Sequence, residues 1–405
     1  MNGETEKRVY DNGGCVRVSD FARPGISDRD AIDLAFGYAK RKNIPTVLFD
    51  GRDWIVDRAV EYFSGLTIIV DGVTIKQADG TFDNIFRPEG IIVDPDDPYG
   101  FPAEIYETEN VKITGKNGAR LEGPNVQAKL LNFKKGEVEE TFGDIWGWRG
   151  FSVYFTRCKN FEFSGFSLTK TRSWAISVDR SSNGYFHDIG FYTTCVNGDG
   201  LDIRVGCKDI RIENIRGKTS DDFIALNNGI FPSGKDTEEQ YLYPLVASDR
   251  LFSSETGKDG DICGILIENV YSATDRYSQA VAFLARSGNS IRDVRIRGVY
   301  DDNPIGESAR LCMVGAYYHE GYGEMNDRTM IKDVSIDTVV SNSTYYAVLF
   351  RENVSGLKIK NVRQNLASGV VVMAPDEDVI EIADCSSASG KIRDSVKNWL
   401  PPWEH

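Results

Sequence analysis

The chain has few of the residues that soft-metal chemistry uses. It carries three histidines (His187, His319 and His405) and seven scattered cysteines, with no Cys-x-x-Cys pair. Transition-metal centres are therefore unsupported. An odd set of isolated cysteines fits a reduced, intracellular chain better than a disulfide framework. No apolar run approaches the ~20 residues of a membrane helix. Met1-Asn2-Gly3-Glu4-Thr5-Glu6 lacks the apolar stretch of a signal peptide. The expected location is cytoplasmic for the chain as written, or secreted or periplasmic if a leader has been trimmed from it. Positive charge is in deficit: 47 Lys and Arg against 61 Asp and Glu, a formal net charge of −14. That balance argues against nucleic acid and anionic membranes as partners. A polyanionic glycan would need basic residues in its cleft. Phosphate-cradling loops and serine-triad motifs are absent, and Asp259-Gly260-Asp261 is too short to argue a calcium loop. No metal and no cofactor are expected.

Helical periodicity is also scarce, with one early exception. Ser27 reads as an N-cap with Asp30 three residues on, and Ile32, Ala35, Phe36 and Ala39 fall on one helical face. Past residue 50 the pattern is short strands. An apolar pair spaced by three recurs at Phe163/Phe166, Phe186/Ile189, Ile212/Ile215, Ile267/Val270, Ile296/Val299, Ile336/Val339 and Ile359/Val362. Gly165, Asn214, Asn269, Gly298 and Asn361 sit inside these pairs. The shortest intervals between first members are 23 and 26 residues; the longest are 40 and 55. A period in the low twenties with Gly/Asn/Asp turns is the signature of a parallel β-helix. The long intervals are coils with inserted loops, the larger at 229–261. A β-sandwich predicts turns every 8–12 residues and an α/β fold needs helices between strands; neither pattern is present. One domain, 1–405, is expected. Its N-terminal cap region is 1–50. A C-terminal cap or tail is expected at 375–405, with Ile392, Val396 and Leu400 forming a small helix.

Four carboxylates flank the strand-like run Ile210–Ile215: Asp199, Asp202, Asp221 and Asp222. Asp221 and Asp222 follow Asp199 by 22 and 23 residues, close to the repeat. Equivalent positions on adjacent coils stack about 4.8 Å apart, so these side chains reach one patch. Like charges this close cannot all ionise cheaply, and at least one carboxyl should keep its proton. A protonated acid beside an ionised base is what glycoside hydrolysis requires. A lone Asp in such a fold is more often a turn residue satisfying backbone N–H groups. Two clusters one coil apart favour function.

The run from about Arg149 to Asn228 resembles the polygalacturonase family, glycoside hydrolase family 28, or a near relative in the pectin-lyase-like superfamily. Asn197-Gly198-Asp199-Gly200-Leu201-Asp202 is similar to the family's Asn-Thr-Asp-Gly-x-Asp. Ser220-Asp221-Asp222-Phe223 is similar to its Gly-Asp-Asp-Cys. Cys158-Lys159-Asn160-Phe161, Trp174-Ala175-Ile176-Ser177 and Val18-Ser19-Asp20-Phe21 match in style. The resemblance implies an all-β fold: a single-stranded right-handed parallel β-helix with an N-terminal capping helix. It implies that Asp199, Asp221 and Asp222 are the catalytic carboxylates and that hydrolysis inverts the anomeric centre. Asp199 and Asp222 match the acid and a water-activating partner, and Asp221 a second base, with the split left open because coupled acids share protons. Stacking on adjacent coils predicts a spacing nearer the retaining range of about 5–5.5 Å.

The chain departs from the family at two motifs. The coil expected to carry Gly-His-Gly reads Tyr277-Ser278-Gln279-Ala280-Val281, with Gln279 near the missing histidine. The nearest counterpart of Arg-Ile-Lys is Arg310-Leu311-Cys312. Galacturonate is therefore not supported as the specific substrate. Substrate contacts are expected from Asp202, Trp174, Gln279, Arg310 and Arg276, with Arg286 a further cleft candidate. Trp146 and Trp148 read equally as a sugar-stacking wall or as core. His187 reads as structural; His319 lies in an inserted loop. The function expected is a glycoside hydrolase acting on a plant or microbial glycan, uronic-acid-containing oligosaccharides included. The rival readings are a polysaccharide lyase or uronate epimerase, and a non-catalytic glycan-binding β-helix.

Overall fold

The computed structural model describes residues 14–97, 100–132, 134–230, 245–254, 257–274, 278–286, 288–306, 310–316, 330–351, 354–374 and 380–395. Strands wind into a parallel β-helix with two long sheets, one of 17 strands and one of 11. The larger sheet is bent within each strand. Lys208–Thr219 pairs in parallel with Ser182–Tyr192 on one side and Ile262–Thr274 on the other. Ile212 lies opposite Phe186 and Ile267, and Ile215 opposite Ile189 and Val270. All seven apolar pairs of the sequence are such interior columns, and none of their fourteen side chains is more than 1% exposed. Each fully buried side chain of this kind contributes about 1.5–3 kcal/mol.

The bend has a stereochemical cause. Asp188, Asn214, Asn269, Gly298 and Asn361 share one column two residues beyond the anchors, and all have positive φ. A second column, Asn160, Asn183, Asp209, Gly264, Asp293 and Asp333, has it too. Asn, Asp and Gly tolerate that left-handed conformation best. Asn side chains also bridge coils: Asn214 Nδ2 donates to Asp188 (3.2 Å) and Asn269 Nδ2 to Asn214 (3.3 Å).

Helix α1 (Asp28–Lys42) begins where expected, with Ser27 Oγ accepting from Asp30 N–H at 3.1 Å. Its buried Ala31, Ile32, Ala35, Phe36 and Ala39 pack over the first strands and cap the open end of the coil. At the other end the expected helix does not begin at Ile392. Arg393–Ser395 is instead a strand that extends the smaller sheet beside Val370–Ala374. Val396 and Leu400 lie outside the described residues. The coil closes with another rung because Val372 N–H still needs an acceptor and finds the Ile392 carbonyl at 3.0 Å.

The smaller sheet, called the site sheet below, includes Val153–Thr156, Ile176–Asp179, Leu201–Arg204, Ile224–Asn227 and Val281–Leu284. The long insertion leaves the coil after Asn227 and rejoins at Ile262. Its described part folds back onto the site sheet: Leu245, Val246 and Ala247 pack with Trp148, Phe151, Tyr154 and Trp174. A buried polar network fastens it there. Asp179 accepts from Tyr154 Oη (2.6 Å), Thr156 Oγ1 (2.9 Å) and Ser248 Oγ. Arg180 donates to Asp249 (2.8 Å) and Ser248 (2.6 Å).

Candidate active site

Register on the site sheet lines up the acids. Ile176 pairs with Leu201, and Leu201 with Ile224. Two residues earlier on each coil stand Trp174, Asp199 and Asp222. The ladder continues through these turns: Ala175 N–H donates to the Asp199 carbonyl and Gly200 N–H to the Asp222 carbonyl, both at 2.9 Å. Gly200 is required because a Cβ there would collide with the Phe223 carbonyl. Asp221 precedes Asp222 by one residue, and Asp202 projects from the strand itself. One oxygen from each of Asp199, Asp221 and Asp222 can be chosen so that all three lie within 4.8 Å of one another.

These four acids line one pocket with Trp174, Asn197, Asn227, Leu284, Arg286 and a fifth carboxylate, Asp144. Asp222 Oδ1 accepts the Gln279 N–H at 2.8 Å, and Asp221 Oδ1 accepts the Asp222 N–H at 3.0 Å. Among the described residues, Asp199 Oδ1 and Asp202 Oδ2 are buried without a hydrogen-bond partner. Burial is the largest cause that raises each carboxyl. Asp221 is half-buried and pushed up to about 6. Asp144 is pushed up to about 7 by burial and by the Asp221 charge, against the pull of Arg204. Asp199 is raised well above the usual range by burial, then by Asp202, Asp221, Asp222 and Asp144. Asp222 is raised likewise by burial and Asp221, and Asp202 by burial and its acidic neighbours, against Arg204. The cluster can therefore lose its first proton at Asp221 while its deeper members keep theirs.

The structure brings together Asp199, Asp202, Asp221, Asp222, Trp174 and Arg286. Trp174 reaches the pocket, but its ring is occupied: Phe151 stacks on it at 4.8 Å and the Arg204 guanidinium lies 5.0 Å over it. It is 4% exposed, so it forms a floor of the site and offers no open stacking face. Trp146 and Trp148 are buried core. Gln279 follows Asp222 on the next coil and is fully buried; its side chain accepts from Cys312 Sγ at 3.5 Å, and its backbone serves Asp222. Arg276 and His319 lie outside the described residues, as does the Arg310 side chain. His187 stands on the bent sheet between Glu162 and Asp188, away from the pocket. Asp144 had no signal in the acid spacing. It sits in Gly143-Asp144-Ile145-Trp146, a stretch whose tryptophans attract attention first.

No family model matches the sequence, and no curated protein matches it. Solved structures do match over nearly the whole chain. An exopolygalacturonase from Thermotoga maritima aligns with TM-score 0.60 and 16% identity, covering 95% of this chain and 90% of its own. The fold is a right-handed parallel β-helix. A family 28 exopolygalacturonase from Yersinia enterocolitica aligns with TM-score 0.53 and 13% identity, covering 94% and 78%. A tailspike protein double mutant of E. coli bacteriophage HK620, in complex with a pentasaccharide, aligns with TM-score 0.60 and 15% identity, covering 96% and 68%. At such identities the likeness speaks for the fold.

Proposed function

We propose that the chain is a glycoside hydrolase using Asp199, Asp221 and Asp222 for general acid/base catalysis. The observation that carries this reading is the set of three carboxylate oxygens within 4.8 Å, drawn from adjacent coils into one pocket. Asp221 ionises first and serves as base for water. The proton retained by the coupled Asp199 and Asp222 is available to the glycosidic oxygen. The similarity of the fold to exopolygalacturonases and a pentasaccharide-bound tailspike supports a glycan substrate. Arg286 is the described guanidinium lining the pocket and is the natural contact for an acidic or hydroxyl-rich sugar. The insertion covers the sheet face upstream of the acids, which favours action from a chain end.

We keep inversion as the stereochemical outcome. The carboxylates stand side by side on one sheet, so two can hold a water while the third donates a proton. Their spacing lies below the ~6.5–9.5 Å usual for inverting pairs, so the product must decide. Proton NMR of a fresh digest of glycan oligosaccharides, run with EDTA present, should show the inverted anomer and no unsaturated sugar. A retained anomer overturns the stereochemistry. An unsaturated product formed only when calcium is restored selects the lyase reading, which three hard oxygen donors would also suit.

A further inference from the structure

Four carboxylates of the pocket come from the site sheet and its turns, whereas Asp144 comes from a separate wall. The wall is a short 3-10 turn, Asp144–Trp146, with Trp146 and Trp148 buried as its anchors. Gly147 N–H closes the turn on the Asp144 carbonyl at 2.8 Å. Gly143 N–H ties it to the Arg172 carbonyl at 2.7 Å. Gly143 has φ of 84° and lies hard against the acid-bearing turn: a Cβ there would sit 3.1 Å from Asn197 Oδ1. The Asp144 side chain is thus held at the pocket, 6% exposed, by its turn, whose Ile145 N–H also donates to the carboxylate.

We propose that Asp144 is a positioning residue for the hydrolytic acids, a carboxylate set on its own wall across the pocket from the acid-bearing turns. The inference rests on the hydrolase reading above. The groups facing Asp144 are Asp199, Asp221 and Asp222 from the turns, Asp202 and Arg204 from the strand, and Arg286 from the downstream coil. Arg172, behind the wall, turns its guanidinium to Gln77, Thr81 and Asp83 instead. Burial, then the Asp221 charge, pushes the Asp144 carboxyl up to about 7, so Asp144 is neutral while Asp221 ionises. Above that pH its charge appears and adds to the forces holding protons on Asp199 and Asp202. The charge therefore arrives in the range where the proton donor is needed and in danger of being lost.

The test is the pH dependence of kcat for the wild type, D144N, D144A and D144E, with circular dichroism to confirm folding. In D144N and D144A the alkaline limb should move down by about 0.5–1 pH unit, the size expected for losing one nearby charge. The acid limb, set by Asp221, should stay in place, and D144E should keep the wild-type profile. A lower kcat at every pH with both limbs unmoved means a structural wall and overturns the proposal. D222N is the control: if it is inactive and the D144N limb does not move, this inference alone fails. If D222N is as active as wild type, the hydrolase reading fails and takes this inference with it.

Discussion

Asp222→Asn should cut turnover of a cleavable glycan by about 10³-fold or more, within the range for losing a positioned acid or base. The same change should raise thermal stability at neutral pH. Asp222 is buried, and its carboxyl is raised well above the ordinary value in the fold. Between the unfolded value, about 4, and the higher folded value, the native state binds more protons than the unfolded chain. Stability then falls as pH rises through that window. Asn carries no proton to lose, so D222N should melt higher than wild type near pH 7 and lose that advantage near pH 3.5, about or below the unfolded value. Kinetics on oligosaccharides and calorimetry at the two pH values check both halves. Unchanged turnover with unchanged binding would leave the acids as turn formers on a non-catalytic β-helix.

Arg180→Met should have the largest effect on stability. The guanidinium lies 2.8 Å from Asp249 and 3.7 Å from Asp179, and all three side chains are at most 4% exposed. Methionine fills part of the volume and leaves two buried carboxylates without that cation. Breaking such a pair costs about 3–5 kcal/mol. Burial already raises Asp179 despite the opposing pull of Arg180. Without the arginine Asp179 should take up a proton more readily, so the loss should shrink as pH falls. Urea denaturation at pH 7 and pH 5 measures this; equal loss at both values would contradict the account. The network fastens the insertion to the site sheet, so chain-length selectivity should broaden in the same variant.

The fold was legible because a solenoid repeats its instructions. Each apolar pair is one turn of interior, and the residue between its members, Asn214 for example, is the left-handed corner that bends the strand. The acid pair was legible for the same reason: a spacing of 22 or 23 residues is one coil, so sequence distance becomes lateral contact. Asp144 obeys no such period. It reaches the pocket from a 3-10 turn outside the coil, placed there by the Gly143 N–H bond to the Arg172 carbonyl and by the burial of Trp146 and Trp148. Trp174 lines the pocket, yet which side its ring leaves open depends on Phe151 and Arg204, neither of which the repeat predicts. Gln279, a substrate contact by its place near the missing histidine, stands beside Asp222 on the next coil. Burial then turned its role to the backbone N–H that Asp222 accepts. The C-terminal closure went unread because Ile392 belongs as well to a last rung as to a helix.

The most direct test of the central claim is a carbon-13 titration of the aspartate side-chain carboxyls, followed by NMR in the wild type and in D222N. Coupling between the coils predicts several carboxyls titrating well above the ordinary ~4, and a fall in the Asp199 midpoint when residue 222 is neutral. Aspartates that titrate independently near the ordinary value, with Asp199 indifferent to D222N, would contradict it.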